Sequence, residues 1–217
     1  MLARCCVAAL LVAPAAAVIG CGGAEPPGDA SLTVYVSLPD TAEGRDATAG
    51  ARDALADAGG EAGGVKVRAV YLDAPGDAAG VAGDARAAVQ DSTSIAYIGE
   101  LDSTGTLTSL PITNDARLLH VSPTADASKL VAPFEGSDDV PPETQSSGER
   151  TFGTVAELHG SPGELGAEAM TLVLDAIDRA DDPLDRASVV QAFFEAGQRD
   201  SPLGPYEVDE VGRAQPG

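Results

Sequence analysis

Ile95-Ala-Tyr-Ile-Gly-Glu-Leu-Asp-Ser-Thr-Gly-Thr-Leu107, followed after a helical run by Arg117-Leu-Leu-His-Val-Ser-Pro-Thr-Ala-Asp126, is the stretch whose reading decides the fold. A short apolar strand (Ile95–Ile98) meets Gly99 and then Asp102-Ser103-Thr104, a polar cluster that can start a helix. A second apolar strand (Leu118–Val121) ends in another polar cluster, Ser122 to Asp126. In a parallel sheet both clusters sit at the carboxyl ends of adjacent strands, the edge where open α/β sheets bind ligands. The plainer reading is two strand ends that need polar loops.

Outward from this stretch the same alternation continues. Leu32-Thr-Val-Tyr-Val36 reads as a strand, and Ser37 to Gly44 as a polar loop. From Arg45 to Ala58, Ala47, Ala51, Ala54, Leu55 and Ala58 recur at the spacing of one helical face, with Gly59-Gly60 as the stop. A second strand spans Val65–Leu72, and a second helix carries Ala78, Val81, Ala82, Ala85 and Val89 on one side. A third helix is expected from about Ser103 to Asn114. This β-α-β-α-β-α-β order predicts an α/β protein with a doubly wound parallel sheet. No G-x-G-x-x-G and no phosphate-binding loop follows a strand, so no nucleotide cofactor is expected.

Past Val131 the composition shifts. Ala132 to Gly163 is rich in Pro, Ser, Gly, Glu and Asp and reads as a linker, with a short strand near Thr151–Val155. From Glu164, residues Leu165, Ala169, Leu172, Val173, Ala176, Ile177 and Ala180 form an apolar stripe on a strong helix. A further helix runs from about Asp185 to Ala196. Ser201 to Arg213 reads as an extended tail with a turn.

The amino terminus sets the compartment. One positive charge (Arg4), an apolar run from Cys5 to Ile19 and small residues before Cys21 fit an export signal, too short to span a bilayer. Val18-Ile19-Gly20-Cys21 resembles the bacterial lipobox, which implies that Cys21 is lipidated. Gly22 to Asp29 would then be a tether at the extracytoplasmic face of the cell membrane. The alternative is an ordinary secretory signal with an incidental cysteine. With Cys5 and Cys6 removed, the mature chain has one thiol, hence no intrachain disulfide and no cysteine metal site. The formal charge of −21 argues against nucleic acid and anionic lipid headgroups as partners. Tryptophan is absent and aromatics are scarce, so the core must be built from Ala, Val, Leu and Ile.

The order of these pieces resembles the periplasmic binding proteins of the leucine/isoleucine/valine type. Ile98-Gly-Glu-Leu-Asp-Ser-Thr-Gly-Thr106 looks like that family's loop after its third strand, and His120-Val-Ser-Pro-Thr-Ala-Asp126 like its next strand and ligand loop. Asp175 to Ala180 and Leu203-Gly-Pro-Tyr-Glu-Val-Asp-Glu-Val-Gly212 resemble its closing helices and tail. In that family two α/β lobes close on an amino acid. Here residues 31–131 would form the first part of a lobe, and 132–163 would stand in place of the second lobe. Residues 164–213, the C-terminal helices and tail, would pack back to complete the single lobe. About thirty residues are too few for another doubly wound body.

The resemblance implies ligand contacts at Ser103, Thr104, Thr124 and Asp126. Ser103 matches a hydroxyl that meets a solute carboxylate at a helix start; read from its surroundings alone it is equally a helix N-cap. Thr124 matches a residue whose backbone meets the ligand. Asp126 replaces a hydroxyl residue near the ligand ammonium group, and would either pair with that group or repel the carboxylate. The implied function is non-catalytic: a lipid-anchored solute-binding protein for an amino acid-like molecule, serving an ABC permease. A degenerate one-lobed sensor or docking module is the second reading. A hydrolase built from Ser103, His120 and His159 lacks the G-x-S-x-G elbow, and His120 reads as a packed core histidine. Neither histidine has a ligand partner at metal-binding spacing.

Overall fold

The computed structural model describes residues 30–74, 76–126, 130 and 151–217. The expected signal, Cys21 and the tether up to Asp29 lie outside the described residues, as do Val131 and residues 132–150 of the expected linker.

The organising element is β1 (Ser31–Pro39), which alternates Leu32, Val34, Val36 and Leu38 with Thr33, Tyr35 and Ser37. The aliphatic set packs with Ala47 and Ala51 of α1 (Ala42–Asp57) and Leu165, Ala169 and Val173 of α4 (Pro162–Arg179). Tyr35 packs with Ala85 and Ala88 of α2 (Ala78–Gln90), and Ser37 donates to Asp84 of the same helix at 2.9 Å. Both faces of the strand are therefore covered, the condition under which all-parallel sheets occur.

Around it the sheet order is β2-β3-β1-β4-β5-β6. Strands β3 (Val65–Ala74), β4 (Ser94–Ile98), β5 (Leu119–Ser122) and β6 (Phe152–Thr154) are parallel to β1 in sense. The chain first goes to one side of β1 and then to the other, so the order reverses between β1 and β4. Helices α2 and α3 (Ser103–Asp115) cover one face; α1, α4 and α5 (Arg186–Phe194) cover the other.

Several bounds differ from the sequence reading. Strand β1 continues through Ser37-Leu38-Pro39, because Leu38 is buried in the core and Ser37 finds a partner on α2. Helix α1 starts at Ala42, capped by Thr41, whose hydroxyl accepts from the Gly44 amide. Gly59-Gly60 ends it as expected, but β2 (Glu61–Ala62) then pairs antiparallel with β3. Gly63-Gly64 closes that hairpin with φ of 58° and 71°, the left-handed backbone that two-residue turns require. The short strand expected near Thr151–Val155 is β6, beside β5 with His120 opposite Phe152.

Helix α4 begins with a full capping box: Ser161 accepts from the Glu164 amide while Glu164 reaches back to Ser161. Its neighbour α5 sends Arg186 under the amino edge of the sheet, where Nε and Nη2 donate to Ser94 O and Asp91 O at 2.8 and 2.9 Å. The expected tail is instead a small antiparallel sheet of β7 (Gln198–Arg199), β8 (Tyr206–Val208) and β9 (Ala214–Pro216). Buried Glu168 holds it, accepting from Tyr206 Oη and Ser201 Oγ at 2.6 Å each. Among the described residues no helix is long and apolar enough to cross a membrane.

Small residues let α1 and α4 touch backbone to backbone. A Cβ on Gly166 would stand 2.1 Å from Ala47 O, and one on Gly50 1.9 Å from Gly163 O. In an open helix Gly→Ala stabilises by up to about 1 kcal/mol. Here the clash must reverse that sign, so Gly166→Ala should destabilise by about 1–3 kcal/mol, the usual range for overpacking. Urea unfolding of the two proteins measures it.

Candidate functional site

The strand order reverses between β1 and β4, and it is at the carboxyl ends beside such a reversal that doubly wound sheets hold ligands. The loops after β4 and β5 meet beside it. Thr124 Oγ1 donates to Leu101 O at 2.6 Å, Ser122 Oγ donates to Glu100 O, and Ser122 Oγ in turn accepts from the Ala125 amide at 2.9 Å. Thr154 Oγ1, from β6, donates to Ala125 O at 2.8 Å. Three strand ends are thus bound into one platform by side chain to backbone bonds.

All four residues singled out in the sequence lie on this platform. Ser103 Oγ approaches Asp126 O at 3.5 Å, a weak contact; Ser103, Thr124 and Asp126 are half-buried and Thr104 is exposed. The helix start differs from expectation. Asp102, not Ser103, is the N-cap, and its Oδ1 accepts from the amides of Thr104 and Gly105 at 2.9 Å each. The anion position that a solute carboxylate was expected to take at those amides is held by the protein's own carboxylate. The Thr124 amide is also engaged, with Ser122 Oγ at 3.3 Å.

Below the platform lies a polar cluster that the sequence reading missed. Glu100 is only 3% exposed, and accepts from Tyr97 Oη on Oε1 and from Ser109 Oγ on Oε2, each at 2.6 Å. Gly105 makes room for it: a Cβ there would stand 3.1 Å from the Glu100 Cβ and Cγ. The signal was present, because Thr106, Ser109 and Thr113 recur at helical spacing and all three are fully buried. They turn a hydroxyl face of α3 to the sheet where an apolar one is usual.

His120 is fully buried in the same cluster. Nε2 contacts Gly99 O, which can only accept, so Nε2 carries the hydrogen; Nδ1 is then the acceptor from Thr113 Oγ1 at 3.1 Å. Burial lowers its pKa to about 4. Burial raises that of Glu100 to about 7, against the bonds from Ser109 and Tyr97, with Asp102 and Asp84 adding to the rise. The two side chains are 4.0 Å apart, yet at mildly acidic pH both are neutral and form no ion pair. His120 has no exposed edge for catalysis. Among the described residues no three His, Cys, Asp or Glu side chains gather as a metal site.

No protein-family profile matches the chain, and no curated protein matches it in sequence. Solved structures do. A leucine-binding protein, LivK, from Thermotoga maritima superposes with TM-score 0.64 at 15% identity, covering 84% of this chain and 93% of that one. The branched-chain amino acid transporter substrate-binding protein LivJ from Streptococcus pneumoniae, in complex with isoleucine, gives 0.64 at 11%, covering 86% and 94%. The fold is that of a periplasmic binding-protein lobe. A solute-binding protein of an ABC transporter from Rhodopseudomonas palustris, in complex with 3,4-dihydroxybenzoic acid, also scores 0.64, at 10% identity, covering 85% and 90%. Binding-protein lobes of this shape therefore serve chemically different solutes, and the chemistry of each platform must be read on its own residues.

The inverted pair has a measurable consequence. Unfolded, Glu100 holds its proton below about 4.5 and His120 below about 6.5; folded, the values are about 7 and about 4. Between roughly pH 5 and 6 each state binds one proton, on Glu100 when folded and on His120 when unfolded, so the slopes cancel. Glu100→Gln leaves the histidine's contribution, and stability should fall as pH drops from 6.5 to 4. His120→Gln leaves the carboxyl's, and stability should fall as pH rises from 4.5 to 7. Each swing amounts to about 3 kcal/mol at most. Thermal unfolding across pH measures both.

Proposed function

We propose that this chain is a non-catalytic, extracytoplasmic solute-binding protein, moored to the cell membrane through Cys21 and serving a branched-chain amino-acid-type ABC transport system. One observation carries the reading: a rigid polar platform stands at the carboxyl edge beside the order reversal, in a lobe whose fold solved solute-binding proteins share. Ser103, Thr104, Thr124 and Asp126 are the proposed contacts, and the solute is a small amino acid-like molecule. A single lobe can cover only part of it, whereas closed sites bury about 70–90% of a small ligand. Affinity is therefore weak in the isolated chain.

Asp102 favours a second reading. Its carboxylate fills the amides at the start of α3, which suits a relative retained as a sensor or partner-docking module at the membrane surface. Calorimetry with leucine, isoleucine, valine and a panel of other amino acids separates the two. Asp102→Asn keeps a capping oxygen but removes one charge. It should tighten binding of a carboxylate ligand by roughly 1 kcal/mol, about fivefold. Binding by neither protein at millimolar concentration, with co-purifying membrane proteins, would transfer the assignment to the docking module.

The anchor is tested separately. Wild-type protein should sediment with membranes and incorporate labelled fatty acid, and Cys21→Ser should do neither. Equal sedimentation of the two would remove the lipid from this reading.

A further inference from the structure

The cluster beneath the platform is closed. Glu100 is shut off from solvent, and Tyr97 Oη and Ser109 Oγ donate to its two carboxyl oxygens at 2.6 Å each. Ionisation gives one proton to solvent and leaves the carboxylate with those two donors alone.

The other end of Glu100 is the platform itself. Its carbonyl accepts from Ser122 Oγ, and that same oxygen accepts from the amides of Thr124 and Ala125. The groups facing the carboxyl are Tyr97 from β4, Ser109 and the cap Asp102 from α3, neutral His120 from β5 and the Asp84 charge from α2. A charge placed there meets two acids and no counter-ion in that set, and α3 passes so close that a Cβ on Gly105 would stand 3.1 Å from the Glu100 Cβ and Cγ. The strain falls on the Gly99–Asp102 turn, whose carbonyls hold the neighbouring loop.

We propose that the paired strand-end loops are a proton-operated switch: Glu100 is its sensor, and loss of its proton loosens the hold of the Gly99–Asp102 turn on residues 122–126. The device belongs to the loops and operates with or without a solute, so failure of amino acids to bind leaves it standing. Carboxyl titration close to neutral pH agrees with the geometry.

Carbon-13 and amide NMR of the full chain across pH tests it. The Glu100 Cδ resonance should titrate near neutral pH, and the Thr124 and Ala125 amide resonances should move with the same midpoint. Glu100→Gln, a mimic of the protonated acid, should abolish those amide shifts. Tyr97→Phe removes a donor to the charged form and should raise the midpoint, which keeps the sensor testable if Glu100→Gln fails to fold. Titration of Glu100 below pH 5, amide shifts that persist in Glu100→Gln, or a Tyr97→Phe midpoint equal to the wild type would overturn the sensor.

Discussion

Burial of β1 on both faces is the constraint from which the rest follows. A strand with parallel neighbours on each side has no solvent face, so every residue needs a partner: aliphatics toward α1 and α4, Tyr35 and Ser37 toward α2. This forces helices onto both sides and makes the chain cross from one side of β1 to the other. The crossing puts the order reversal between β1 and β4. The polar platform stands beside it, where side chain to backbone bonds tie the ends of β4, β5 and β6 together.

The side of the sheet covered by α2 and α3 is built differently from the other. Under α1 and α4 the contacts are small and apolar, with glycine and alanine backbones nearly touching. Under α3 they are hydroxyls, a histidine and a carboxylic acid. Buried polar groups demand partners, and each of these has one: Thr113 for His120, Ser109 and Tyr97 for Glu100, Ser122 for the Glu100 carbonyl. Such a network specifies loop positions more narrowly than apolar packing does, because each bond has a direction as well as a distance. It also makes the loops answer to protonation, which an apolar core would not.

How much of this was legible depended on which force set each feature. Strand and helix order was open to reading because apolar periodicity records burial directly, and Ile95–Ile98 followed by Asp102-Ser103-Thr104 marked both the strand and its loop. The end of β1 was hidden, since Ser37 and Pro39 carry loop signals that tertiary partners override. The cap was misassigned by one residue: Asp102 and Ser103 are both good caps, and backbone geometry chose the first. Glu100 was invisible as a buried group because an acid after a strand reads as solvated. Only the hydroxyl spacing of Thr106, Ser109 and Thr113 betrays that the facing surface is polar. Resemblance supplied the candidate contacts on the two strand-end loops, but it carried over a free helix start that Asp102 occupies here.

Native-state hydrogen exchange tests the central claim most directly. If β1 is the doubly covered strand on which the lobe is assembled, the amides of Val34 and Val36, with Ala96 and Ile98 on the neighbouring β4, should exchange only through global unfolding. Their exchange free energies should then equal the unfolding free energy measured with urea. Exchange of Val34 and Val36 well below that limit, as fast as the amides of the small sheet at Tyr206–Val208, would contradict the account.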